Sequence, residues 1–458
     1  MRDWKGKRVL ILGAARQGVA LTRWLVEHGA LVTLSDQRPA AEFVSAREAL
    51  NDLPVQLAAG GHPIELLDST DILCLSGGVP LSLPIVQVAI DRGLPLSNDT
   101  QIFMEVVPCK TVGITGSAGK TTTTTLVGMM AKNVFGPKAF IGGNIGDPLI
   151  SYVDDMQPDD LAILEISSFQ LEQMTVSPNI ASILNITPNH LDRHGTMEAY
   201  TAAKARLLEF QCEKGSAVLG RDDAGAWNLH DRVRGRLLSF GFSKMEEGSE
   251  GTYYTDDILY LYDHGLDIPL LRRDQIKLRG GHNVLNILAA FAIGHAAGLP
   301  LDAMLTAAED FHGVPHRLEF VREVHGVKWF NDSIATAPER VLAAIHSFSE
   351  PIVLLLGGRD KNLPWEDLAE VIHQRVDHVI VFGEAADKIV KVININGLQK
   401  KPATLDRVDD LFSAVQKAAE VAESGDVVLF SPGGTSFDEF KDFEERGEKF
   451  RSWIQQLS

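Results

Sequence analysis

Residues Thr111–Thr125, TVGITGSAGKTTTTT, set an apolar strand, a glycine turn, a Gly-Lys-Thr step and a helical run end to end. Few folds accept that order. Backbone N–H groups approach an anion only where side chains are absent, and a helix starting there aims its positive end at the same point. The strand belongs in a mostly parallel sheet with helices on its faces. Lys120 can reach β- and γ-phosphates, and the Thr121 hydroxyl can ligate Mg²⁺. Gly116, Ser117, Ala118, Gly119 and Thr122 complete a candidate ATP loop. The run departs from GxxxxGK[ST], because Ile114 stands where the first glycine belongs. A glycine turn with a surface lysine is the plainer alternative.

Elsewhere, short β-rich runs alternate with helical patterns, as in α/β domains. At 458 residues the chain exceeds one core, and about 100–200 residues per domain implies several. Three are expected. They are a Rossmann-like N-terminal domain over 1–105, a central P-loop ATP-binding parallel-sheet domain over 106–310, and a C-terminal Rossmann-like α/β domain over 311–458. The first begins with strand Arg8–Leu12, turn Gly13–Gly18 and a helix whose apolar side is Val19, Leu21, Leu25 and Val26. A second strand ends at Ser35-Asp36, where ribose or base contacts are often made. The turn keeps its outer glycines but is not GxGxxG, so a tight strand-to-helix connection competes with dinucleotide binding. The long apolar stretch Val284–Leu301 is interrupted by Asn286 and His295 and reads as a buried helix, not a membrane span.

The formal charge of −18 argues against nonspecific binding to nucleic acid or a membrane surface, both of which want a basic face. An anionic substrate would need local positive charge. Three scattered cysteines, Cys74, Cys109 and Cys212, form no CxxC pair and fit a reducing compartment. The apolar run Val9–Leu12 is too short for a signal peptide.

Two polar clusters follow predicted strands. In LAILEISSFQLE, Glu165 ends an apolar run and precedes Ser167 and Ser168. It reads as a Mg²⁺ ligand or as half of an edge ion pair, since a buried carboxylate needs a partner. In ASILNITPNHLDRHG, Asn185, Asn189, His190, Asp192 and His194 follow the strand. His190 is a metal ligand or an ordinary satisfied histidine. In a parallel sheet both clusters share an edge with the phosphate loop.

GSAGKTT, GGNIG, LEISSFQLE, NITPNHLDRHG, YTAAKARL, GGHNVLN, GVPHRLEF, NDSIAT and SPGGTSFDEFKDFEERG follow one another in that order. Together they resemble the Mur ligases of peptidoglycan precursor synthesis, over essentially the whole chain. SSFQLE and SPGGTSFDEF resemble the members that add D-glutamate to UDP-N-acetylmuramoyl-L-alanine. The resemblance implies an ATP-dependent ligase with Mg²⁺, as two ions. Lys120 would meet ATP phosphates. Thr121, Glu165, His190 and Lys204 would hold metal, with Lys204 carrying a CO₂-derived carbamate; without the resemblance Lys204 reads as an exposed helix lysine. Asn283, Asn286, Arg317 and Asp332 would lie around ATP, the last two closing over it. Ala14, Ala15, Asp36, Gln37, Ser76, Gly77, Asn144 and Ser167 would meet the UDP substrate. Thr336, Lys361, Ser436, Phe437 and Phe443 would hold D-glutamate. A cytoplasmic monomer is implied, acting on small molecules, with neither nucleic acid nor membrane as partner.

Two positions depart from the family pattern. Ile334 replaces the lysine of NDSKAT, removing a cation suited to a glutamate carboxylate, and Gly77-Gly78 stands where Ser-Pro-Gly is frequent. The alternatives are another Mur ligase or a folylpolyglutamate synthetase, a P-loop nucleotide-dependent regulator, and a dinucleotide oxidoreductase built on the first domain.

Overall fold

The computed structural model describes residues 3–395 and 402–457. Three sheets organise them. In the first, five parallel strands run in the order Gln56–Ala59, Leu31–Asp36, Arg8–Leu12, Ile72–Leu75, Leu96–Ser97. Arg8–Leu12 is central, and its last four residues are buried, as expected of a parallel strand covered on both faces. Helix Arg16–Glu27 buries Leu21, Trp24 and Leu25, while Val19 and Val26 are only half-buried. Trp24 therefore joins the predicted apolar side. Gly13 has φ +94, and a Cβ on Gly18 would lie 1.9 Å from the Gly13 carbonyl oxygen. The outer glycines thus serve a tight strand-to-helix connection.

The second sheet has nine strands. Six parallel neighbours extend from Ala139–Gly143 through Leu161–Glu165, Lys110–Thr115, Ile180–Ile183 and Ser216–Gly220 to Arg236–Gly241. Gly251–Thr255 continues them in parallel, and Ile258–Asp263 and Leu266–Arg272 add an antiparallel meander. Its turns use Asp256-Asp257 and His264-Gly265, all at positive φ, as two-residue hairpins require. Helix Gly281–Ala297 is mostly buried. The apolar stretch Val284–Leu301 is not one helix. Gly298 at φ +81 and Pro300 break it, and Leu301–Glu309 begins a second. No helix among the described residues is long and apolar enough to cross a membrane.

The third sheet runs Glu319–Val324, Val327–Asn331, Val427–Gly433, Ile352–Gly357, His378–Phe382, Thr404–Arg407, parallel except for its first pair. Separate apolar clusters cover its two faces. The first two sheets form one compact unit, up to residue 276 with 281–311, and the third forms another, 277–280 with residues from 312 onward.

Candidate active site

Strand Lys110–Thr115 delivers the chain into Gly116–Gly119, and helix Lys120–Phe135 starts at once. Gly119 takes φ +83, so glycine is required at the helix entrance. Lys120 Nζ donates to the carbonyl oxygens of Gly116 at 2.8 Å and Ser117 at 3.4 Å, folding back over its own loop. The loop is held from outside by a residue the candidate set lacked. Asn185 accepts the Ala118 N–H on Oδ1 at 2.8 Å and donates Nδ2 to the Ala118 carbonyl at 3.1 Å. The Asn185 carbonyl also accepts the Ser117 N–H. Two N–H groups expected to face phosphate are therefore engaged, so the candidate phosphate donors are those at the start of the helix. Ser117 Oγ accepts the Thr187 N–H, donates to the Thr187 carbonyl and lies 3.0 Å from the Tyr200 hydroxyl.

Glu165 ends its strand 2% exposed. Its Oε1 accepts Asn144 Nδ2 at 2.9 Å, and its Oε2 is buried with no hydrogen-bond partner among the described residues. Asn144 is placed by Gly143, at φ +99, where a Cβ would lie 2.4 Å from the Glu165 carbonyl. Lys204 lies on helix Met197–Glu209 and is 1% exposed, which overturns its reading as a surface lysine. Nζ is 3.3 Å from Thr115 Oγ1 and 4.7 Å from the Tyr200 ring centre. Burial, then the Lys120 charge, pushes the amine well below its usual range, and Glu165 partly opposes them. Glu165, Lys204 and Lys120 are thus brought together, and an orphaned buried carboxylate oxygen suits a hard cation.

His190 is exposed, in left-handed conformation at φ 52, with its ring 5.1 Å from Phe169. The next turn anchors it. His194 Nδ1 lies 2.9 Å from Glu172 Oε1 and its Nε2 2.9 Å from Ser168 Oγ. Arg193 lies 3.8 Å over the Phe169 ring and donates to the carbonyls of Gly77 and Val79 at 3.2 and 2.7 Å. Ser167 caps the short helix Ser168–Leu171 through Gln170. A three-ligand cluster occurs elsewhere, at Glu250, Asp263 and His264, but Arg236 pairs with its acids.

Asn286 is mostly buried and donates to Asn283 Oδ1 at 3.0 Å. A Cβ on Gly119 would lie 2.2 Å from its Oδ1, so this polar group in an apolar helix sits directly against the phosphate loop.

On the first sheet, Ala14 and Ala15 line a cleft of about 550 Å³ with Arg16, Arg23, Arg38 and Tyr152. Asp36 does not face it freely. Its carboxylate accepts the Ala14 N–H at 2.7 Å and two guanidinium N–H groups of Arg38 at 2.9 Å, which hold it far below the usual carboxylate range. Arg38, absent from the candidate set, is a cation at this edge beside Arg16 and Arg23. Gln37 is exposed. Ser76 Oγ donates to the Gly13 carbonyl at 2.8 Å, and Gly77 lies against Gln17.

In the second unit Arg317 stands between His316 and Leu318, both at positive φ, a strained turn of the kind kept at functional sites. Asp332 is buried, accepting the Ser431 hydroxyl at 2.8 Å and the Leu318 N–H at 3.1 Å, and burial pushes its carboxyl up to about 7. Lys361 Nζ donates to Thr336 Oγ1 at 3.1 Å. Ser436 is buried and Phe437 is exposed. The Phe443 carbonyl accepts the Ser333 hydroxyl. Arg446, also absent from the candidates, is fully buried and donates to Ser333 Oγ, the Ser333 carbonyl and the Gly434 carbonyl. Burial lowers it to about 10.

Family models match in three stretches: a Mur ligase MurD-like N-terminal domain over 7–97, a Mur ligase middle domain over 114–294 and a Mur ligase glutamate ligase domain over 316–434. Proteins named UDP-N-acetylmuramoylalanine–D-glutamate ligase are similar end to end. That of Pelotomaculum thermopropionicum is 38% identical over 100% of this chain and 99% of its own. That of Caldanaerobacter subterraneus is 39% identical over 99% of both. Among solved structures, the UDP-N-acetylmuramate–alanine ligase MurC of Thermotoga maritima shares the fold at 20% identity and TM-score 0.56, covering 98% of this chain and 99% of that one. The MurF ligase of Thermotoga maritima, in complex with ADP, does so at 19% identity and TM-score 0.55, covering 100% of both. With family models matching all three stretches and full-length relatives near 38% identity, the chain belongs to the Mur ligase family.

Proposed function

We propose that the chain is an ATP-dependent ligase joining D-glutamate to the alanyl carboxylate of UDP-N-acetylmuramoyl-L-alanine in peptidoglycan precursor synthesis. The observation that carries this reading is 37–39% identity, over nearly full length, to enzymes named for that ligation.

A carboxylate resists an amine because oxide would have to leave. Transfer of the γ-phosphoryl group of ATP to the alanyl carboxylate forms an acyl phosphate and releases ADP. The D-glutamate amine, having lost a proton, attacks the acyl carbon. The tetrahedral adduct then expels phosphate and leaves an amide. The first step brings two anions together on a chain of net charge −18. Lys120 and the N–H groups opening its helix are the counter-charges, in a geometry fixed beforehand by Asn185. Thr121 and Glu165, with His190 and a carbamylated Lys204, would hold Mg²⁺, as two ions, which when bound neutralises phosphate and carboxylate oxygens. The unpartnered Glu165 Oε2 supports that role. Burial shifts Lys204 toward the neutral amine, the form that adds to CO₂, which supports the carbamate.

Gly116–Thr122 hold the phosphates of ATP. Asn283 and Asn286 are assigned to its adenine side, and Arg317 and Asp332 complete its binding. Ala14, Ala15, Gln37, Ser76, Gly77, Asn144 and Ser167 are assigned to the UDP substrate, with Asp36 acting through Arg38. In the second unit Thr336, Lys361, Ser436, Phe437 and Phe443 take D-glutamate. The chain works in the cytoplasm as a monomer, in three domains with boundaries near 105 and 310. The test is phosphate release with UDP-N-acetylmuramoyl-L-alanine, ATP and Mg²⁺ against a panel of amino acids. Release with D-glutamate is expected. Release only with another amino acid removes the D-glutamate assignment and leaves the ligase.

A further inference from the structure

Position 334 lacks the cation that NDSKAT would supply. Ile334 is half-buried, and its N–H donates to the His316 carbonyl. Six residues on, in the first turn of helix Pro338–Ile345, Arg340 turns back on it. Arg340 Nη1 donates to the Ile334 carbonyl oxygen at 3.3 Å. A guanidinium therefore stands at the backbone of the residue that lost its charge.

Other cations lie near it. Lys361, fixed by the Thr336 hydroxyl at 3.1 Å, is near enough for Arg340 to disfavour its protonated form, after burial and ahead of Arg446. Arg446 is turned toward neutral oxygens of Ser333 and Gly434. Asp332, the acid that also feels Arg340, already accepts from Ser431 and Leu318. No carboxylate pairs with Arg340 or Lys361 among the described residues. The chain has 61 acidic residues against 43 basic ones, so basic groups readily find acids. Two that have none, held at the carbonyl of Ile334 and the hydroxyl of Thr336 and near enough for the one charge to disfavour the other, gain from an anion placed with them. A dicarboxylic amino acid brings two. A planar guanidinium fork matches a carboxylate at least as well as an ammonium does.

We propose that Arg340 replaces the missing lysine at position 334, and that Arg340 and Lys361 together hold the carboxylates of the incoming acidic amino acid. The assignment rests on the D-glutamate reading above. The helix, instead of the preceding loop, delivers the second cation, and the Ile334 carbonyl aims it. An apolar side chain at 334 is then compatible with glutamate specificity.

The experiment is steady-state phosphate release with ATP and UDP-N-acetylmuramoyl-L-alanine saturating and D-glutamate varied. Wild type is measured first, and no turnover with D-glutamate there defeats the substrate reading before any variant is made. Arg340→Gln keeps a donor for the Ile334 carbonyl and removes the charge. The expected result is a KM for D-glutamate raised about 10- to 100-fold, the range for losing a charged hydrogen bond. KM for ATP and for the UDP substrate should stay within about twofold, with the melting temperature preserved. Adding Ile334→Lys to Arg340→Gln should restore most of the lost affinity. An unchanged KM for D-glutamate in Arg340→Gln overturns the proposal. So does a raised KM that Ile334→Lys leaves raised, because either position should serve to place the cation.

Discussion

Asn144 donates to one oxygen of Glu165 at 2.9 Å while the other oxygen lies buried with no hydrogen-bond partner among the described residues. A buried acceptor left unmade costs about 1–3 kcal/mol, and more when charged. Glu165→Gln keeps the acceptor for Asn144 and removes the charge. We expect kcat to fall by about 100-fold, the upper range for disturbing a metal's surroundings, and the Mg²⁺ needed for half-maximal rate to rise. Phosphate release at graded Mg²⁺ measures both. A wild-type Mg²⁺ dependence would remove Glu165 from the metal set.

Lys204 makes folding depend on pH. Its amine is held well below 10.5 in the folded chain, so the unfolded chain binds the extra proton. Stability then rises with pH from the folded value up to about 10.5. Lys204→Met removes this penalty. In CO₂-free buffer the variant should melt above wild type at neutral pH, with the gap closing as pH nears 10.5, and its turnover should be lost. Melting curves across pH decide it, a less stable variant at neutral pH being the contrary result. Activity lost in Lys204→Ala and returned by short-chain carboxylic acids would support the carbamate.

Asn185 shapes the phosphate loop without being part of it. Asn185→Ala frees both polar groups of Ala118. We expect KM for ATP to rise about 10-fold, as for one or two lost hydrogen bonds, and KM for D-glutamate to stay unchanged. ATP titrations with the amino acid saturating test this. Equal loss of affinity for both substrates would point to general loosening instead.

Asp332, pushed up to about 7 from 3.8, works in the opposite sense to Lys204. The folded chain binds its proton more tightly, so the contribution is full below 3.8 and is lost as pH rises through about 7. Asp332→Asn should therefore match wild type in acid and exceed it above neutrality, by a few kcal/mol at most. Thermal denaturation on either side of neutral pH reads the difference. A gap as large in acid as in base would show an effect other than protonation.

How much was legible follows from reach. The phosphate loop is local: strand, glycine turn and helix are contiguous, so Thr111–Thr125 could be read directly, and the three α/β sheets follow from the same alternation of runs. Lys204 could not be placed from composition, because a helix lysine looks the same buried or exposed until the sheet it packs on is known. Asn185 pairs with Ala118 across 67 positions, beyond any periodicity. At Asp36 the acid was legible, but not its capture by Arg38, whose guanidinium also donates to the Ala14 carbonyl 24 positions away. The meander from Gly251 to Arg272 went unread because its turns use aspartate and histidine at positive φ where Asn-Gly would have signalled a hairpin.

Arg193 has a pharmacological consequence. Its guanidinium grips the carbonyls of Gly77 and Val79 in the loop after strand Ile72–Leu75, and its neighbour His194 is bolted to Ser168 and Glu172 at the two ends of the short helix Ser168–Leu171. A small molecule wedged under residues 77–79 would pull on the segment that carries His190. The contacts it would displace are made to backbone carbonyls, which no side-chain change at 77–79 removes.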